Sequence, residues 1–170
     1  MIFLQKTKTM NNNITLRFEP LADDVETVRE IIHSTGFFQE HEIPVALELV
    51  EEAINNGLNS GYYFVFAMDG KRTISYACYG TIACTKNSYD LYWIATHNDY
   101  RGKGVGSLIL KETEKKIKSM GGRVIYIETS SKPLYVPTQS FYEKHEYFKE
   151  AILKDFYDIK DDKIIYSKHI

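Results

Sequence analysis

The amino-acid sequence predicts one domain of the mixed α/β (α+β) class. Its 170 residues, of which 44% are hydrophobic, have the size and apolar content of a single domain with a core. Segments with the hydrophobic period of strands alternate with segments of helical period in the order β α α β β β α β α β β. Residues 1–13 are predicted to be a mobile leader to a single domain at 14–170.

The first half of the chain contains hydrophobic residues at both strand and helix spacing. Apolar residues first alternate with polar ones, as in a half-buried strand, and then recur at helical spacing through two segments. Acids in its first turn favour the first helix, and Pro44 and Gly57 bound the second. The predicted elements are a strand at 14–18, helices at 21–33 and 44–56, and strands at 62–68 and 73–83 joined by a turn at Asp69-Gly70.

The second half of the chain contains a glycine-rich stretch between a strand and a helix. The helix has an apolar stripe that ends at Gly121-Gly122, and the compact apolar run after it suits a central strand. The predicted elements are strands at 90–96 and 124–127, helices at 107–120 and 138–145, and a terminal strand pair at about 147–156 and 163–168.

Composition argues against several classes of protein. Lys and Arg number 21 against 23 acids, so the chain lacks the positive field of nucleic-acid-binding proteins. No apolar run approaches the length of a membrane span or a signal peptide, and we expect a cytoplasmic protein without membrane attachment, as a monomer or homodimer. Cys78 and Cys84 are expected to be buried, reduced thiols. The histidines lack ligand spacing, so no metal is expected.

The segment Arg101-Gly102-Lys103-Gly104-Val105-Gly106 carries the strongest functional signal. It connects a strand that ends at Ile94-Ala95-Thr96 to a predicted helix. The first amides of a helix have no partner within the helix and carry partial positive charge, and glycines allow a phosphate to approach them closely. The segment is therefore predicted to hold a phosphate or pyrophosphate.

Other phosphate loops fit this segment less well. A P-loop requires GxxxxGK, and Val65 and His97 occupy the positions of its first glycine. A dinucleotide fingerprint requires GxGxxG where this chain has GxGxG, although Glu128 stands where a ribose-binding acid would. A dinucleotide-binding protein and a purely structural helix cap remain as alternatives.

The pattern Arg101-x-x-Gly104-x-Gly106 resembles the coenzyme A loop of the GNAT superfamily of N-acetyltransferases. The segment Phe141-Tyr142-Glu143-Lys144-His145 resembles the family's FYEKxGF segment, and the element order matches from Ile14 to the C-terminus. Within the superfamily, Ile127-Glu128 and the segment around Tyr157 and Asp162 are similar to the ribosomal-protein-alanine N-acetyltransferases. The resemblance implies a mostly antiparallel central sheet flanked by about four helices.

By this resemblance, the chain would transfer acetyl from acetyl-coenzyme A to a primary amine by direct attack in a ternary complex. Arg101 would order the loop, whose amides at Gly102, Lys103, Gly104, Val105 and Gly106 would hold the pyrophosphate. The backbone of Ile94, Ala95 and Thr96 would pair with the pantetheine arm. The family's usual asparagine is missing, and Thr138, Ser130 or Ser131 would replace its contact to that arm.

Two side chains are candidates for the chemistry. Tyr142 would be the general acid, since a tyrosine stays protonated at neutral pH and can donate to the leaving sulfur. Glu128 would remove the ammonium proton if burial raised its pKa, or else it pairs with a helix amide or a lysine. Tyr157 and Asp162 would line the acceptor site.

The amine acceptor stays open between a protein N-terminus and a small amine. A pocket closed by the first two helices would favour a small molecule, whereas an open groove that ends at Tyr157 would favour a peptide. The alternative of a different class is a sensor that binds acyl-coenzyme A without turning it over.

Overall fold

The computed structural model of the protein describes residues 14–170, so the leader predicted at 1–13 lies outside the described residues. The strands are β1 (Ile14–Arg17), β2 (Tyr62–Asp69), β3 (Arg72–Thr81), β4 (Ser88–Thr96), β5 (Val124–Ser130), β6 (Phe148–Asp158) and β7 (Asp161–His169). The helices are α1 (Asp24–Thr35), α2 (Ile43–Asn56), α3 (Val105–Ser119) and α4 (Val136–Lys144). Short 3-10 turns occur at Gly57–Ser60, Asn98–Tyr100 and Pro133–Tyr135. This order confirms the predicted fold class.

The strands form one sheet in the order β1-β2-β3-β4-β5-β7-β6. Every neighbouring pair is antiparallel except β4 and β5, which are parallel. These two strands pair only where Ser88–Asp90 meets Val124–Tyr126, whereas β4 stays paired with β3 up to Thr96. Beyond Asp90 the strands separate, and the side of β4 that faces β5 has a free backbone edge.

The core lies in two layers, one on each face of the sheet. Helices α3 and α4 cover one face, where Ile109 and Tyr142 belong to the same buried cluster. Helices α1 and α2 cover the other face, where Ile31 and Val50 pack on the sheet. No helix within residues 14–170 has both the length and the apolar character needed to cross a bilayer.

Helix α3 begins at Val105, two residues before the predicted start at Ser107. Gly104 lies in the left-handed region with φ of 85° and is the N-cap, and its carbonyl accepts the first helical hydrogen bond from the Leu108 amide at 3.0 Å. A residue with a side chain would be strained there, so this glycine sets where the helix can begin.

The prediction for the two cysteines is confirmed for Cys78 and wrong for the burial of Cys84. Both are free thiols, and Cys78 is buried within β3. Strand β3 ends at Thr81, before the predicted end at residue 83, and Cys84 lies in the turn to β4 with φ of 59°. Because this turn leaves the sheet, the Cys84 side chain is exposed.

Candidate active site

A cavity of about 1020 Å³ opens where β4 and β5 separate. Its wall comes from the segment between α1 and α2, the end of β4, the glycine-rich loop, β5, α4 and the β6–β7 hairpin. We call the part formed by residues 101–107 the loop end. The part formed by Phe37–Glu42, Glu128–Lys132 and Tyr157–Asp161 is the hairpin end.

The loop end presents backbone amides to the cavity. The first helical bond starts at Leu108, so the amides of Val105, Gly106 and Ser107 have no partner in α3. Within the described residues, the amides of 102–104 also donate to no protein acceptor. Six consecutive amides are thus free to bind a ligand. Such a set at a helix N-terminus is suited to the oxygens of a phosphate.

The residues of the predicted phosphate loop differ in whether they line the cavity. Arg101, Gly102, Gly104 and Gly106 line the cavity, whereas Lys103 and Val105 do not. The Val105 side chain is buried in the core at 1% exposure, so only its amide can reach a ligand. The Lys103 ammonium lies 5.1 Å from the centre of the Tyr100 ring.

Gly106 lies in space that the protein itself does not fill. A methyl group built on this residue would lie 3.6 Å from Thr96 Oγ1 and 3.7 Å from the Phe141 ring, which are ordinary contacts. Packing within the protein therefore does not require glycine at this position. Its absent side chain leaves room in the cavity beside the free amides.

The Arg101 side chain turns away from its own loop. Its guanidinium lies 4.6 Å from the centre of the Phe37 ring, in the segment between α1 and α2. Arg101 was predicted to order the loop, and the structure shows a link from the loop to that segment.

The end of β4 forms the floor of the cavity. Ile94, Ala95 and Thr96 all line it, and they pair only with β3. The Thr96 hydroxyl is 2.8 Å from the Ser75 hydroxyl, so it is already hydrogen-bonded within the sheet. The free backbone edge of this segment is therefore its main polar feature for a ligand.

Of the three hydroxyls suggested for the pantetheine contact, Thr138 alone is uncommitted in the described chain. It lines the cavity near the start of α4. The Ser130 hydroxyl donates to the Asp161 carboxylate and also accepts from the Lys132 amide at 3.0 Å. The Ser131 hydroxyl accepts from the Asp162 amide at 2.9 Å.

Tyr142 brings an unpaired hydroxyl to the cavity. Its side chain is only 4% exposed and packs between the rings of Phe141, Tyr147 and Tyr166. The hydroxyl makes no hydrogen bond within the described residues, and the residue lines the cavity. Burial raises the pKa of Tyr142 well above its usual value, so the hydroxyl stays protonated and can act as a donor. Because the side chain is buried and the residue lines the cavity, a ligand in the cavity can supply the missing partner.

Glu128 lines the cavity from β5 and is paired with a lysine. Its side chain is 49% exposed, and its carboxylate lies 2.5 Å from the Lys163 ammonium. Lysine pairing was the predicted alternative to a role as base. The structure shows this pairing, and the role as base stays a prediction.

Asp90 lies next to the candidate site, and no sequence pattern singled it out. A second cavity, of about 180 Å³, lies between β4 and β5, and both Asp90 and Glu128 line it. Burial raises the pKa of Asp90 to about 6, the charge of Glu128 adds to the rise, and Lys163 opposes it. In sequence, an aspartate among alternating strand residues indicates only a solvent-facing position, so no local signal identified it.

The hairpin end is assembled by contacts between distant segments. The Tyr135 hydroxyl donates to the Phe37 carbonyl at 3.1 Å, and the Phe38 ring lies 4.9 Å from the Trp93 ring. Tyr157 lines the cavity as predicted. Asp162 does not, because its carboxylate binds Lys154 and the Asp155 amide. Within residues 14–170, no group of three or more His, Cys, Asp and Glu side chains could hold a metal ion.

Comparison with known proteins agrees with this arrangement. The family model of the GNAT acetyltransferase domain matches residues 59–148, which is more than half of the chain. A structure of a Desulfovibrio desulfuricans protein assigned to the GNAT family is 42% identical and superposes with a TM-score of 0.90, over 92% of this chain and 98% of that one. No curated protein sequence matches the chain.

Two more distant structures share the fold. The ribosomal-protein-S18-alanine N-acetyltransferase of Escherichia coli is 17% identical with a TM-score of 0.70, over 92% of this chain and 94% of that one. The PaiA N-acetyltransferase of Thermoplasma acidophilum, in complex with coenzyme A, is 22% identical with a TM-score of 0.69, over 92% and 99%. At these identities the likeness extends to the fold alone.

Proposed function

The chain belongs to the GNAT acetyltransferase family, and we propose that it transfers an acetyl group from acetyl-coenzyme A to a primary amine. The observation that carries the proposal is the row of free amides at residues 102–107, at one end of a cavity that also contains the unpaired Tyr142 hydroxyl. The free amides suit the pyrophosphate of the donor, and the Tyr142 hydroxyl suits its sulfur.

In this proposal, the cavity holds the donor in an extended form. The pyrophosphate binds the loop amides, and the pantetheine arm follows the free edge of β4 at Ile94–Thr96, with Thr138 within its reach. The arm takes the place that a further strand would occupy between β4 and β5. An amide of this edge would also polarise the thioester oxygen, because negative charge develops there during the reaction.

The chemical step forms one bond and breaks one. The neutral amine nitrogen attacks the thioester carbonyl carbon, a C–N bond forms, and the C–S bond breaks. Tyr142 gives its proton to the departing sulfur. The proton that nitrogen loses passes to the carboxylate of Glu128 in the same cavity, which Asp90 neighbours in the smaller cavity, and a proton from solvent restores the Tyr142 hydroxyl.

The direct test combines binding with turnover. Calorimetry with acetyl-coenzyme A should show one site per chain, and a panel of primary amines should accelerate release of the free coenzyme A thiol. Binding without amine-dependent thiol release would contradict the transferase proposal and favour a sensor. Thermal stabilisation by NADH and not by coenzyme A would overturn the donor assignment and favour a dinucleotide-binding protein.

A further inference from the structure

The two ends of the cavity differ in charge. The loop end presents free amides with partial positive charge, whereas the Arg101 guanidinium reaches Phe37 at the hairpin end. The hairpin end carries the acids that line the cavity, which are Glu42, Glu128, Asp158 and Asp161. A ligand that fits both ends must be anionic at one and cationic at the other.

Two of these acids have their charge compensated within the protein, and two do not. Lys163 pairs with Glu128 at 2.5 Å, and Lys132 pairs with Asp161 at 3.1 Å. Within residues 14–170, neither Glu42 nor Asp158 forms an ion pair. The hairpin end therefore keeps a net negative charge for a ligand to neutralise.

The two uncompensated carboxylates are held in place by backbone amides. Glu42 Oε2 accepts from the Gln39 amide at 2.7 Å, and Asp158 Oδ1 accepts from the Ile159 amide at 2.7 Å. Each carboxylate has a second oxygen for a ligand. Such fixed acceptors lose little conformational entropy when a cation binds them.

Three of the acids of this end act on one tyrosine of the same cavity, although they come from separate elements. The pKa of Tyr157 is raised to about 12 by burial and then by the carboxylates of Glu128, Asp161 and Glu42. These three acids belong to β5, β7 and the start of α2. Since one tyrosine hydroxyl feels all three charges, they form one negative patch around the Tyr157 ring.

An internal ammonium group already occupies part of this patch. The Lys163 ammonium lies 3.6 Å from the centre of the Phe156 ring and 5.7 Å from that of Tyr157, while it pairs with Glu128. A carboxylate combined with the faces of aromatic rings is a favourable environment for an ammonium ion. The protein therefore shows within itself the recognition chemistry that this end offers.

The segment between α1 and α2 forms one wall of the cavity. It is fixed by the Tyr135 hydrogen bond and the Arg101 guanidinium at Phe37, and by the contact of Phe38 with Trp93. A peptide acceptor would need an open groove along this wall. The unpaired Tyr142 hydroxyl, with its side chain 96% buried, marks the reacting point between the two ends.

We propose that the amine acceptor is a compact molecule that carries at least one positive charge besides the reacting amine, rather than a protein N-terminus. The inference rests on the proposed acetyl transfer. The reacting amine lies near Tyr142, and the second cation binds the carboxylates of Glu42 and Asp158.

The experiment compares acceptors that differ in one property at a time. Turnover is measured as thiol release with 1,4-diaminobutane, with n-butylamine, and with an uncharged hexapeptide amide that begins with alanine. The diamine should exceed n-butylamine in kcat/KM by about tenfold, and added salt should reduce this preference. The hexapeptide should be the poorest acceptor. Equal or better turnover of the hexapeptide or of n-butylamine would overturn the inference and leave acetyl transfer intact.

A variant locates the second cation. Glu42→Gln keeps an acceptor for the Gln39 amide and removes the charge, so KM for the diamine should rise about fivefold while KM for n-butylamine stays the same. Glu48→Gln removes an exposed charge from α2 outside the cavity and is the matched control. An unchanged diamine KM in Glu42→Gln would overturn the assignment. Failure of the protein to bind acetyl-coenzyme A would instead refute the proposed function, and the inference with it.

Discussion

The two ends of the cavity are built in opposite ways. The loop end uses backbone amides from consecutive residues between Arg101 and Ser107, and its side chains contribute little. The hairpin end uses carboxylates and aromatic rings that three separate segments bring together. One end depends on the path of the backbone, and the other depends on the identity of side chains that tertiary structure assembles.

This difference determines which substitutions each end tolerates. At the loop end, the ligand would be bound by backbone amides and not by side chains. A substitution that preserves the left-handed conformation at Gly104 therefore keeps these amides in place. At the hairpin end, isosteric changes such as Glu42→Gln keep the shape and alter the charge. Variants of each kind can therefore break one end without the other.

The largest effect is expected from Gly104→Glu at the loop end. This change strains a residue with φ of 85° and places a carboxylate among amides that would hold a pyrophosphate. Repulsion between unit charges about 4 Å apart is about 4 kcal/mol at an effective dielectric constant of about 20, which corresponds to roughly a thousandfold loss of affinity. Calorimetry with coenzyme A measures it.

Gly121→Glu is the matched control for that variant. Gly121 has φ of 84°, nearly the same strain, and its surroundings would accept a Cβ with only Asn87 as near as 4.0 Å. It follows α3 and lies outside the cavity. If the affinity for coenzyme A fell equally in both variants, backbone strain rather than the position in the loop would explain the result, and the phosphate assignment would be wrong.

The second-largest effect is expected from a substitution at Tyr142, between the two ends of the cavity. Tyr142→Phe should lower kcat by about a hundredfold, because the leaving sulfur loses its proton donor, with coenzyme A affinity unchanged. The variant should not lower the melting temperature, since the hydroxyl has no partner in the described chain to lose. Normal turnover in Tyr142→Phe would remove this residue from the mechanism.

The control at this point is Tyr147→Phe. Tyr147 is 2% exposed, lies in the same aromatic cluster with its ring 5.9 Å from that of Tyr142, and does not line the cavity. Its kcat should stay within about twofold of the wild-type value, because acid catalysis requires contact with the reacting atoms. An equal loss in both variants would indicate damage to packing rather than to proton donation.

The sequence predicted the backbone of the loop end because its signal is local. A glycine pattern between a strand and a helix specifies backbone geometry, and the structure differs only in starting α3 two residues earlier, at the N-cap Gly104. The same local reasoning predicted the element order, and it was wrong about the burial of Cys84, which depends on where β3 ends.

The contacts of the hairpin end could not be predicted from the sequence, because they join residues far apart in the chain. Phe37 meets Tyr135 through a contact between two connecting segments, and Glu128 meets Lys163 through the pairing of β5 with β7. No local pattern encodes either contact. Asp90 becomes notable only when β5 places Glu128 beside it. Periodicity could show that these residues belong to strands, but not which neighbours would alter their charge.

The smallest effect is expected from Asp90→Asn, which tests whether burial and the nearby Glu128 charge penalise the ionisation of Asp90. With its pKa raised from 3.8 to about 6, folded Asp90 binds more protons than the unfolded chain at intermediate pH. Asp90 therefore makes unfolding progressively easier as pH rises from 3.8 to 6. Since the group is only half-buried, screening by solvent limits this cost to on the order of 1 kcal/mol.

Urea unfolding at pH 5 and pH 7 measures that cost. Between these pH values, the free energy of unfolding of the wild-type protein should fall by on the order of 1 kcal/mol relative to that of Asp90→Asn, because ionisation of Asp90 is penalised by burial and by Glu128. Glu48→Gln controls for the loss of one negative charge at an exposed site. A difference between wild type and Asp90→Asn that did not change with pH would mean that Asp90 ionises without penalty.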